Sequence, residues 1–185
     1  MLDQEFTPLL LPHEKVLWSG TPDPAIRFTS RDLFMIPFSI LWGGFAIFWE
    51  VSVMTDGAPF FFQLWGIPFV LIGLYLMVGR FFIDAWARRN TVYAVTDRRV
   101  LVNRKRPFPK LTAVAHDQIG PINLVDENGG KGTILFETPR SYEGERRFSG
   151  YWSPAFDTSP QLIGINDARS VFAIVQEARQ TAQRN

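Results

Sequence analysis

Two long stretches without a charged residue dominate the first half of this 185-residue sequence. Residues 33–49 and residues 57–79 carry no acidic or basic side chain. Neither stretch shows the 3.6-residue alternation of polar and apolar positions that is typical of a surface helix. About 20 residues, rising ~1.5 Å each, cross the hydrocarbon core of a bilayer. The sequence therefore predicts a transmembrane helical hairpin within residues 32–86, with helices at about 33–54 and 58–79.

The alternative is a pair of buried helices in a soluble protein. A soluble helix keeps a polar face, and these stretches have none. Tryptophans lie near several of the predicted helix ends, where indole rings favour the membrane interface. Small residues let two membrane helices approach closely. The candidates for such a contact are Gly43, Gly44, Gly66 and Gly73.

Basic residues are distributed unevenly about the two stretches. Lys15, Arg27 and Arg31 precede the first stretch, and nine basic residues lie between residues 80 and 110. The connection from Glu50 to Ala58 contains none. Loops rich in Lys and Arg stay on the cytoplasmic side of a membrane. We therefore expect both termini in the cytoplasm and the short connection outside.

Composition excludes several classes of function. The formal net charge is +1, whereas a dedicated nucleic-acid-binding domain carries a strong basic excess. The chain has no cysteine, which excludes disulfides, thiolate metal sites and cysteine nucleophiles. The first eight residues carry two acids and no base, unlike the positive start of a signal peptide. We therefore expect the apolar stretches to remain in the mature protein.

The sequence after the hairpin changes to short β-like runs separated by turns. Residues 122–125 and 133–136 flank Asn128-Gly129-Gly130, which favours a tight β-hairpin. A stripe of apolar residues predicts an amphipathic final helix at about 167–183. Five to seven short strands followed by one helix indicate an α+β fold, a small barrel plugged by that helix. The number of strands between residues 139 and 160 stays open.

Two motifs resemble those of the bacterial pleckstrin-homology-like membrane proteins. Glu14-Lys-Val-Leu-Trp-Ser-Gly-Thr-Pro22 precedes the hairpin, and Tyr93-Ala-Val-Thr-Asp-Arg-Arg-Val-Leu101 follows it. The resemblance implies a PH-like antiparallel β-barrel capped by a C-terminal helix within residues 90–185. It further implies that residues 1–31 pack on the barrel and that the protein is a multi-pass protein of the bacterial inner membrane. The motif residues, to which we assign structural roles, are Glu14, Trp18, Gly20, Pro22, Tyr93, Thr96 and Asp97.

The sequence offers no recognisable catalytic set. Neither of the two histidines, His13 and His116, has a partner at metal-ligand spacing. His116 and Asp117 could form an acid–base pair, but a polar pair at a strand end is the commoner arrangement. Gly130-Lys-Gly-Thr lacks the spacing of a phosphate-binding loop. We predict no catalytic residue, no metal site, no cofactor and no nucleic-acid partner.

The sharpest candidate for a binding site is the basic run after the hairpin. Nine basic residues and two acids between residues 80 and 110 give a local charge of +7. Anionic headgroups attract such residues by ~1 kcal/mol each, although the same charges could serve only to fix topology. The residues proposed to contact lipid or a protein partner are Arg98, Arg99, Arg104, Lys105 and Arg106.

Two functional hypotheses from different binding classes follow, with an enzyme as a third. The leading hypothesis is a non-enzymatic, membrane-anchored interaction module that binds a protein partner or its own copies at the cytoplasmic face. The alternative is an anionic phospholipid-binding module that uses the basic run. An enzyme at the membrane surface would require a pocket that gathers His116 with carboxylates.

Overall fold

The computed structural model describes residues 3–25, 32–126, 130–137 and 160–184, which divide into two compact units. The helical unit comprises residues 26–83, and the sheet unit comprises residues 1–25 and 84–185. The Asn128-Gly129 turn, most of the region 139–160, and Arg27 and Arg31 lie outside the described residues.

The helical unit consists of two long apolar helices. The first of them, α2, runs from Asp32 to Thr55. It is numbered second because a short helix of the sheet unit, α1, Asp3–Phe6, precedes it in the chain. The second long helix is α3, Phe60–Leu74, which continues through a π-helical segment, Tyr75–Gly79, into α4, Arg80–Arg89. Both helices are long and apolar enough to cross a membrane, as the charge-free stretches predict.

Glycines bring α2 and α3 together. A Cβ atom on Gly73 would lie 2.8 Å from the Cα atom of Gly43, so the backbones are in direct contact there. Gly66 likewise faces α2, whereas Gly44 has open space around it. Three of the four predicted contact glycines therefore lie in the interface. Large apolar side chains elsewhere on the hairpin point outward, with Leu33 85% and Phe60 75% exposed.

The sheet unit contains two antiparallel sheets. The first has the order β1-β2-β3-β4, and the second has the order β5-β6-β7. Because β1 precedes the hairpin in the chain and pairs with β2 after it, the hairpin is inserted in the sequence between two paired strands. The strands are β1 Val16–Gly20, β2 Thr91–Thr96, β3 Arg99–Arg104, β4 Lys110–Ala115, β5 Ile122–Asp126, β6 Lys131–Phe136 and β7 Gln161–Asn166.

The expected closed barrel is not formed by the described strands. After β4 the chain leaves the first sheet through a 3₁₀ turn, His116–Gln118, and Pro121, which has no N–H to donate, precedes β5. No ladder joins β4 to β5 or β1 to β7 within the described residues, so the strands form two sheets rather than a closed barrel. The α+β character of the fold is confirmed.

The core lies between the two sheets and the last helix, α5, which runs from Ala168 to Arg184. These bounds agree within one residue with the helix expected at 167–183. Alternate residues of β6 are buried, as a strand with one covered face requires. Every residue of β2 is buried, because Phe6 and its neighbours cover the other face. Each fully buried Val, Leu or Ile contributes about 1.5–3 kcal/mol.

Candidate interaction surface

The two sequence motifs meet at the buried carboxylate of Glu14. Its Oε1 accepts hydrogen bonds from Oγ1 of Thr96 at 2.7 Å and from Nε of Arg99 at 2.9 Å. Its Oε2 accepts from Nη2 of Arg99 at 2.9 Å and from the backbone N–H of Leu11 at 2.6 Å. The forked contact of a guanidinium with both carboxylate oxygens is a strong ion-pair geometry. We call Glu14, Thr96 and Arg99 the motif clamp.

The motif clamp keeps Glu14 ionised. Burial by itself would raise the pKa of this carboxyl group, but the hydrogen bonds from Arg99, Leu11 and Thr96 outweigh it and lower the pKa from 4.5 to about 2. Four donors occupy the roughly four lone-pair positions of the carboxylate. Glu14 is therefore suited to tie β1 to the β2–β3 hairpin and unsuited to proton transfer.

Other motif residues also make structural contacts. The ring of Trp18 lies over Gly20, where a Cβ atom would overlap it. Pro22 is buried. The hydroxyl group of Tyr93 accepts a hydrogen bond from the backbone N–H of Ile163 at 3.3 Å, which links the first sheet to β7. The structural roles assigned to the motif residues remain predictions.

Within the described part of the chain, carboxylates pair with Arg80, Arg88, Arg99 and Lys105 among the nine basic residues between residues 80 and 110. Arg99 is held in the motif clamp, and Nζ of Lys105 lies 2.8 Å from Oε2 of Glu5. The other two pairs are Arg80 with Asp32 and Arg88 with Asp84. Arg98 is exposed in the β2–β3 turn. The attraction available to an anionic surface is therefore smaller than the local charge of +7 suggests.

The loop that connects β3 to β4 presents an aromatic ring to solvent. Phe108, between two prolines, is 69% exposed. Nε of Arg104 donates to the carbonyl oxygen of Phe108 at 2.9 Å, and burial lowers the pKa of the Arg104 guanidinium. Arg106 and Lys110 flank the ring and are exposed. We call residues 104–110 the basic aromatic loop.

A groove of about 370 Å³ lies between β1 and α5. Leu17, Ile174 and Ala178 give it an apolar lining, and Asp97 and Glu177 add two carboxylates. Oδ1 of Asp97 also accepts the backbone N–H of Lys15 at 3.0 Å, which fixes its position beside β1. We call this the β1–α5 groove.

Family models, curated proteins and solved structures offer no match to this chain.

Sequence reasoning missed both the groove and the exposed ring. On α5 the groove residues recur at positions 174, 177, 178 and 181, the spacing of one helix face, so their grouping could have been read from the sequence. Their contact with β1 could not, because that strand lies more than 150 residues earlier in the chain. Phe108 between prolines and basic residues was a visible signal of an exposed turn.

His116 is fully buried and has a structural partner. Its Nε2 lies 2.8 Å from the carbonyl oxygen of Thr96, so Nε2 carries the proton. Asp117 is exposed. In the described part of the chain, the hydrogen bond of His116 goes to a carbonyl rather than to a carboxylate, and no group of three or more His, Cys, Asp or Glu side chains could hold a metal.

Glu50 lies inside α2, although the sequence places it just beyond the first charge-free stretch. Its carboxylate is buried against Gly66 of α3, and neither oxygen has a hydrogen-bond partner among the described residues. Because a side chain at position 66 would overlap the carboxylate, Gly66 provides the space that Glu50 occupies.

Proposed function

We propose that this chain is a non-enzymatic, membrane-anchored interaction module. In this proposal α2 and α3 cross the bacterial cytoplasmic membrane, both termini are cytoplasmic, and the sheet unit binds a protein there. The motif resemblance supports a pleckstrin-homology-like sheet unit. The outward-pointing apolar side chains of α2 and α3 support the anchor, because such a surface is stable in lipid and unfavourable in water.

The β1–α5 groove is the observation that carries the proposal. It combines an apolar lining with two carboxylates, and binding sites of this kind use apolar contact for affinity and a few polar groups for orientation. Two acids favour a ligand that is apolar and positively charged. A protein segment with an apolar side chain beside Lys or Arg has that chemistry, whereas an anionic headgroup does not.

Photo-crosslinking in bacterial membranes tests the proposal on the full chain. A photoreactive amino acid at Thr181 in the groove should give protein adducts. The same group at Gln180, which is exposed on the neighbouring face of α5 and does not line the groove, is the matched control. Adducts at Thr181 and at a second groove position, Leu17, but not at Gln180 would support a protein site. Absence of adducts at both groove positions would contradict it.

A second candidate function is binding of anionic phospholipid, which the basic aromatic loop favours. An exposed aromatic ring flanked by cations can insert at the headgroup level of a membrane. Because the chain has no native cysteine, Phe108→Cys can carry a single polarity-sensitive fluorophore. In nanodiscs that hold one copy each, lipid binding predicts a blue shift when anionic lipid replaces zwitterionic lipid. An unchanged spectrum would exclude this candidate.

A further inference from the structure

The β1–α5 groove and the basic aromatic loop have complementary chemistry. The groove supplies an apolar lining and the carboxylates of Asp97 and Glu177. The loop supplies the exposed ring of Phe108 between the exposed cations Arg106 and Lys110. Both surfaces are apolar, and the charges beside them have opposite sign.

The loop does not fill the groove of its own copy. Phe108 is 69% exposed and is not among the residues that line the groove. An exposed aromatic ring and an apolar groove both gain free energy when they are covered, at about 25 cal/mol for each Å² of apolar surface buried. A second copy of the chain supplies both surfaces at once.

We propose that the β1–α5 groove receives the basic aromatic loop of a second copy of this chain. Phe108 enters the apolar part of the groove, and Arg106 and Lys110 approach Asp97 and Glu177. The contact joins two different surfaces, so it is heterologous, and one copy can donate a loop while its own groove is occupied. The inference rests on the proposed function and names the occupant of the same groove.

Membrane anchoring favours this association. Two copies held in one membrane by α2 and α3 meet at a higher effective concentration than two copies free in solution, which raises the occupancy of a weak contact. The loop is also prepared for binding, because the hydrogen bond from Arg104 to the Phe108 carbonyl and the two prolines restrict its backbone.

Disulfide crosslinking between two single-cysteine variants tests the proposal. Pro109→Cys places a thiol beside Phe108, and Thr181→Cys places one in the groove. Co-expressed in one membrane, the two variants should form a mixed disulfide-linked dimer on mild oxidation, at least five times more abundant than the dimer from either variant alone. Equal yields from mixed and single variants would overturn the proposal.

Charge reversal provides a second test, in which the substitutions leave the hydrophobic core unchanged. Glu177→Lys should reduce the mixed crosslink several-fold, and one of Arg106→Glu and Lys110→Glu, each made singly in the loop-bearing copy so that Asp97 keeps a cation, should restore it. All three side chains are exposed, so neither copy should lose its fold. A reduction that the loop changes fail to restore would overturn the pairing of these charges.

Two results separate failure of this inference from failure of the proposed function. Adducts at Thr181 that contain only a different protein would uphold a protein-binding groove and overturn a second copy as its occupant. Burial of a probe at position 108 in single-copy nanodiscs with anionic lipid would overturn the inference in favour of a lipid surface. A mixed crosslink that Phe108→Ser abolishes would support the inference directly.

Discussion

The charge on Glu14 is maintained by three residues from two separate parts of the chain. Leu11 supplies a backbone N–H, Thr96 a hydroxyl and Arg99 a guanidinium. Removing Arg99 would leave a buried carboxylate without its counter-ion, which costs about 3–5 kcal/mol. Arg98, its exposed neighbour, should be replaceable within about 0.5 kcal/mol. Adjacent arginines that look equivalent in the sequence therefore have different energetic roles.

The stability of the sheet unit should depend on pH through Glu14. Its pKa falls from 4.5 to about 2 on folding, so the stabilisation is fully present above pH 4.5 and is lost as the pH falls through 2. The difference corresponds to roughly 3 kcal/mol. Urea unfolding of the full chain in detergent should show Glu14→Gln destabilised at pH 6, with the deficit shrinking between pH 4.5 and 2.

Asp117→Asn, at an exposed carboxylate, is the control for that measurement. It should leave the free energy of unfolding nearly unchanged over the whole pH range. A deficit for Glu14→Gln that stays constant from pH 6 to pH 2.5 would show that the motif clamp does not lower the pKa of Glu14.

At the scale of secondary-structure elements, the helical unit is formed by the contact of α2 with α3. In the membrane proposed for this hairpin, lipid chains would be as apolar as the helices, so close backbone packing rather than the hydrophobic effect would hold the pair together. Gly43 and Gly73 meet backbone to backbone, and Gly66 accommodates Glu50. The small residues thus decide where the two helices touch.

Gly73→Ala should separate the helices, because the new Cβ atom would lie 2.8 Å from the Cα atom of Gly43 and backbone atoms cannot rotate away. We expect a loss of about 1–3 kcal/mol in the free energy of unfolding in an SDS titration followed by circular dichroism. Gly44→Ala is the matched control, since a Cβ atom there meets nothing within 4 Å. It should be neutral or slightly stabilising, and equal effects of the two substitutions would refute the backbone contact.

At the scale of the whole molecule, apolar side chains are buried in one unit and exposed in the other. The sheet unit encloses its apolar side chains between two sheets and α5, whereas the helical unit exposes Phe, Leu and Trp side chains on its outside. A protein built for one solvent would not combine these arrangements. The combination is the physical basis for proposing an anchor in lipid and a binding unit in water.

The proposed topology can be tested with single cysteines in a chain that has none. A membrane-impermeant maleimide should label Asp56→Cys, between α2 and α3, in cells with a permeabilised outer membrane. Gln183→Cys, at the end of α5, should be labelled only after the inner membrane is broken. The reverse order of labelling would invert the topology, and early labelling of both would show that the hairpin does not span the membrane.

The sequence by itself determined the features that depend on neighbouring residues. Continuous apolar runs predict α2 and α3, and a 3.6-residue stripe predicts α5, because helix formation depends on residues within a turn or two of each other. The glycines of the hairpin contact were also accessible, since small residues within an apolar run form a recognisable local pattern.

Only the tertiary structure decided which distant residues meet. Glu14 and Arg99 are 85 positions apart with a helical hairpin between them, so no local pattern could pair them. The groove needs β1 and α5 from opposite ends of the chain, and the separation into two sheets depends on how the chain leaves β4. Side-chain periodicity fixes which face of an element is apolar, but the path of the chain decides which other element that face contacts.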